Sequence, residues 1–97
     1  MPRADSFDGL SEFLAIARRG SIRGAALDLG VTPSAISQGL RGLERRLGLP
    51  LFHRTTRKVA PTEAGDQLLA QLAPAAETIA ASLDELVRLH TEPRSGF

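Results

Sequence analysis

The sequence predicts an all-α fold: three short helices, a small β-hairpin and a long fourth helix. Three observations carry that reading. Apolar residues recur at intervals of three and four along most of the 97 residues. Ser or Thr at helix-starting places and Gly at helix-ending places separate those runs. Leu, Ile, Val and Ala supply most of the apolar content, with Phe7, Phe13, Phe52 and Phe97 as the only aromatics, a composition suited to helices. The length bounds the chain to one domain with a core of modest size.

Phe7, Leu10, Phe13, Leu14 and Ala17 mark one apolar face of a first helix, capped by Ser6 and ended by Gly20 after the cations Arg18 and Arg19. Ser21 caps a second helix reaching about Leu29, with Ile22, Ala25, Ala26 and Leu29 inward. Gly30 supplies a sharp turn, Thr32 is an N-cap, and Pro33 takes the favoured first position of a third helix. That helix runs to about Leu47, with Ile36, Leu40, Leu43 and Leu47 inward, and Gly48 ends it. Residues 51–54 and 58–60 are extended segments around the polar Thr55, Thr56 and Arg57, the pattern of a small hairpin, or wing. Thr62 opens a long helix whose apolar stripe is Leu68, Leu72, Ala75, Ile79, Leu83 and Leu86, close to a heptad seam. Pro74 predicts a bend or weakened turn inside it, and residues 91–97, with Pro93 and Gly96, read as a linker.

The formal net charge is +1, but it is unevenly spread. Residues 1–60 hold ten basic groups against five acidic ones, a net +5, and residues 61–97 hold two against six, a net −4. One end of the chain therefore suits a polyanion, although charge decorating solvated faces gives the same split. With no Cys, neither a disulfide framework nor a thiolate metal site is available. No apolar run approaches the ~18 residues of a membrane span. Residues 1–8 carry Arg3, Asp5 and Asp8 where a signal peptide would be apolar. A cytoplasmic chain without a membrane partner is expected. His53 and His90 are far apart, the carboxylates have no metal-ligand spacing, Ser37 has no evident base, and the glycines follow no phosphate-loop pattern. An enzyme and a metal site are both unexpected.

Residues 21–46 have the plan of a helix-turn-helix, a device that puts one helix end into the major groove of DNA. Ala26 lets two helices approach, Gly30 permits the turn and Ile36 plugs the angle between them, features that any αα-hairpin can share. The polar face of the third helix adds discrimination. Pro33, Ser34, Ser37, Gln38 and Arg41 lie in its N-terminal half, where a groove-inserted helix meets base edges and phosphates. Gln38 suits bidentate pairing with adenine, Ser37 a base or phosphate, and Arg41 guanine or phosphate. Arg23 and Thr32 join the candidate DNA contacts. Arg54, Arg57 and Lys58 surround the wing tip, where cations can enter the adjacent minor groove or grip phosphates. They can equally guard a strand edge, or Arg54 can brace the fold by pairing with Glu44. The long helix is too apolar on one stripe to stand alone: it packs wholly on the first three helices, or part of it pairs with a second copy. A protein-interaction module with an acidic partner is the alternative function. Binding to single strands or RNA lacks an aromatic platform.

Leu10 and Phe13, then GSIRGAALDLGVTPSAIS, LERRLGLPLFHRTTRKV and PTEAG, follow one another as in the DNA-binding domain of LysR-type transcriptional regulators, which the chain resembles over roughly residues 6–90. The resemblance implies a winged helix-turn-helix domain at 1–61, with the helix-turn-helix at about 22–41 and the wing at about 52–60. A linker helix at 62–90 would then form an antiparallel dimer contact through Leu68, Leu72, Ile79, Leu83 and Leu86. It implies that Thr32, Pro33, Ser34, Ser37 and Gln38 touch bases and phosphates of double-stranded DNA, and that Arg57 enters the minor groove. Gln38 stands where Arg, Lys or His is common and Pro61 where Leu is common. Gly39 and Gly42 each weaken the third helix by about 1 kcal/mol relative to Ala, and Gly39 is expected to admit close approach of a phosphate. The implied protein is a homodimeric activator or repressor, open to tetramer formation at full length. Residues 91–97 would begin a hinge to an absent effector domain that senses a small-molecule inducer; the segment itself needs no cofactor.

Overall fold

The computed structural model describes residues 7–54 and 59–91. Four helices and one hairpin follow in the order α1 (Leu10–Arg19), α2 (Ile22–Leu29), α3 (Pro33–Leu47), β1 (Phe52–Arg54), β2 (Val59–Pro61) and α4 (Glu63–Thr91). The all-α winged helix-turn-helix expected from the sequence is the observed fold. β1 and β2 are antiparallel, with Phe52 opposite Pro61, His53 opposite Ala60 and Arg54 opposite Val59.

Local chemistry sets most helix ends. Ser21 Oγ accepts from Gly24 N at 2.9 Å and Thr32 Oγ1 from Ala35 N at 3.1 Å, each capping an otherwise unpaired amide. Pro33 sits in the first turn of α3, where no N–H is needed. Gly20, Gly30 and Gly48 close α1, α2 and α3 in the left-handed conformation. The start of α1 departs from expectation. The helix begins at Leu10 behind a left-handed Gly9 with no side-chain cap, and Phe7 precedes it in a turn. Ser6 lies outside the described residues. Gly9 is required twice over, since its φ is 87° and a Cβ there would come within 2.8 Å of the Gly39 carbonyl oxygen. Arg46 holds the same entry from the other side, donating to the Asp8 carbonyl at 2.6 Å.

The core joins all the elements. Phe13, Ile16, Ala25, Ala26, Ile36, Leu40, Leu43, Leu51 and Phe52 are buried together, and the rings of Phe13 and Phe52 tilt against each other at a centroid distance of 5.2 Å. Leu29 and Leu47, expected inward, are exposed, each at the last position of its helix. Leu68, Leu69 and Leu72 of α4 rest on this core, but Ile79, Leu83 and Leu86 project beyond it. α4 runs on through Pro74 without interruption. The expected weakening reduces to one lost backbone bond at the Ala70 carbonyl, on an exposed stretch where water can satisfy it.

Candidate nucleic-acid interface

α3 is a 15-residue helix with one buried and one open face. Ile36, Leu40 and Leu43 fix it against α1 and α2 from behind. On the open side Pro33, Ser34, Ser37, Gln38 and Arg41 line a single hollow of about 320 Å3. Five of the residues singled out in the sequence therefore converge, as a helical face of hydroxyls, an amide and a guanidinium. Thr32 is exposed beside them, its hydroxyl oxygen engaged in capping. Arg23 is exposed on α2. Arg57 and Lys58 lie outside the described residues.

Arg54 takes the bracing role. Its Nη2 lies 3.0 Å from Glu44 Oε1, while the other carboxylate oxygen of Glu44 accepts from Leu51 N at 2.7 Å. Glu44 is largely shielded and Arg54 well exposed, so the ion pair itself stabilises little; the charged acceptor on the Leu51 amide matters more. Its job is geometric: one side chain of α3 holds the first strand of the wing. Glu44→Ala is expected to cost about 2 kcal/mol in urea denaturation, whereas Glu44→Gln, which keeps an acceptor for Leu51, costs less than about 1 kcal/mol.

Gly39 does not serve an approaching phosphate. A Cβ at Gly39 would meet the Glu12 side chain at 2.8 Å, so this glycine lets α1 cross α3 closely. Gly42 is different, with nothing within 4 Å of an added Cβ. Gly65, whose role sequence reasoning missed, is the tightest of all: its Cβ would fall 2.1 Å from the Leu51 carbonyl oxygen. A glycine in the first turn of a helix, where no positive φ asks for it, was the available signal.

Of the proposed dimer residues, Leu68 and Leu72 are half-buried against the chain's own core. Ile79, Leu83 and Leu86 remain more than half exposed. An apolar groove of about 330 Å3, lined among others by Leu10, Leu14, Leu72, Ile79 and Leu83, runs between α1 and α4. Among the described residues no His, Asp and Glu cluster could hold a metal ion, and no helix is long and apolar enough to cross a membrane.

Comparison with known proteins agrees with this geometry. A putative transcriptional regulator of Pseudomonas aeruginosa is 47% identical over 88 residues, which cover 91% of this chain and 29% of the relative. The Escherichia coli HTH-type transcriptional regulator YcaN is 49% identical over 74 residues, 76% of this chain and 24% of the relative. The chain thus spans less than a third of the length of these relatives. The crystal structure of a CbnR DBD–DNA complex superposes with a TM-score of 0.72 at 32% identity, covering 81% of this chain and 91% of that one. The relatives are described as transcriptional regulators and not as enzymes. The model of the bacterial regulatory helix-turn-helix proteins of the lysR family matches residues 7–66, and the chain belongs to that family.

Proposed function

We propose that the chain binds double-stranded DNA sequence-specifically as a homodimer and regulates transcription, as an activator or a repressor. The observation that carries this reading is the hollow on α3, where Pro33, Ser34, Ser37, Gln38 and Arg41 face outward from a helix braced by Ile36 and Leu40. An α-helix fits the major groove, and these side chains match the donors and acceptors of base edges and phosphates. Titration of a duplex at several salt concentrations tests the reading. A steep fall of log affinity with log salt is expected, and a flat response overturns it. Gln38→Ala is expected to relax preference at one base pair by roughly 1–3 kcal/mol, visible as a lost position in a binding-site selection.

The dimer rests on the exposed stripe of Ile79, Leu83 and Leu86, apolar surface that a single copy leaves in water. A single species of monomer mass in analytical ultracentrifugation overturns that part alone. The same reading includes a small-molecule inducer acting on an effector domain C-terminal to this segment, and leaves a tetramer open for the longer protein.

A further inference from the structure

The described cations divide into two sets. Arg19 pairs with Asp28, Arg46 holds the Asp8 carbonyl and Arg54 pairs with Glu44. The side chains of Arg18, Arg23, Arg41, Arg45 and Arg88 make no hydrogen bond or ion pair. Of this second set, Arg41 and Arg45 share α3, four residues apart. At 3.6 residues per turn Ser34, Gln38, Arg41 and Arg45 fall within an arc of about 60°, with Arg45 about 6 Å beyond Arg41 along the axis.

Such like charges, one turn apart, repel each other across a helix surface. Among the described residues no acid forms an ion pair with either: Glu44, which shares a hollow with both, is bonded to Arg54 and the Leu51 amide. A long side chain on a helix leans toward the preceding turn, which for Arg45 is occupied by Arg41 and Gly42. Gly42 offers no side chain, and the space above it is open. Arg45 is therefore free to reach along α3 toward the hollow at Gln38 and Arg41. Its place in the last turn also suits the helix dipole, but that needs only a cation and no shared face with Arg41.

We propose that Arg45 is a further phosphate-contacting residue, extending the DNA-facing strip of α3 by one turn beyond Arg41. The inference rests on the reading of the chain as a duplex binder. A labelled duplex of mixed sequence, titrated with the 97-residue chain at several salt concentrations, tests it. Arg45→Gln is expected to weaken binding about 3–10-fold near 0.1 M salt and to reduce the slope of log affinity against log salt by about 0.9, one phosphate's share. Arg45→Lys keeps the slope, and so does Arg88→Gln on the acidic α4. A steep parental slope left unchanged by Arg45→Gln overturns the role of Arg45 and spares DNA binding. A parent without salt-dependent binding overturns both.

Discussion

Ser37→Glu is expected to weaken duplex binding by more than about 100-fold without loss of stability. Ser37 stands in the hollow between Pro33 and Arg41, on the face of α3 turned away from the core. A carboxylate there meets the phosphates of the groove walls with like charge. It also lies four residues before Arg41, the spacing and order at which Glu and Arg pair along a helix, so it draws off a cation needed for DNA. Both effects act on binding. The same pair adds about 0.3–0.5 kcal/mol to the helix, and the melting temperature should hold or rise. Ser37→Ala, which removes one hydroxyl and adds no charge, is the milder companion, with a loss of less than about tenfold. Equal affinities for parent and Ser37→Glu would mean that α3 does not face the duplex.

Gly65→Ala is expected to destabilise the fold by about 3 kcal/mol, lowering the melting temperature by more than about 10 °C. The methyl group would sit 2.1 Å from the Leu51 carbonyl oxygen, closer than any packed pair of such atoms. That carbonyl cannot swing away cheaply, because it accepts from Thr62 N at 3.0 Å, and Thr62 Oγ1 in turn donates to the Pro50 carbonyl at 2.8 Å and accepts from Gly65 N at 3.0 Å. The start of α4 is thus tied to the chain entering β1. Gly42→Ala makes the opposite case. It adds the same methyl to open space in mid-helix and should stabilise by about 0.5–1 kcal/mol. A thermal melt of Gly65→Ala that is unchanged or raised would contradict the contact at Gly65, and a lowered melt of Gly42→Ala would contradict the open space there.

What could be read from the chain beforehand follows the range of the interaction involved. The caps at Ser21 and Thr32, Pro33 in the first turn of α3, and the closing glycines all act within a few residues, and each stood in the sequence as a local pattern. The α3 face was legible for the same reason, since helical periodicity alone brings Ser34, Ser37, Gln38 and Arg41 together. Periodicity names a stripe but not its cover. Leu29 and Leu47 continue their stripes into water, whereas Leu68 and Leu72 rest on the chain's own core. Gly39 and Gly65 depend on elements crossing from elsewhere, Glu12 of α1 in one case and Leu51 in the other. Glu44 was visible as a partner for Arg54, but its bond to the Leu51 amide depends on how the chain turns after α3.

That carboxylate has a mechanical consequence. Glu44 belongs to α3 and grips the strand leading into the wing with both oxygens, while Leu51, at the same junction, also receives the base of α4. Within one copy, α3, the first strand of the wing and the start of α4 are thus tied together at Glu44 and Leu51. In the proposed homodimer, the distance between two operator halves would be set by the outer half of α4, where Ile79, Leu83 and Leu86 stay more than half exposed.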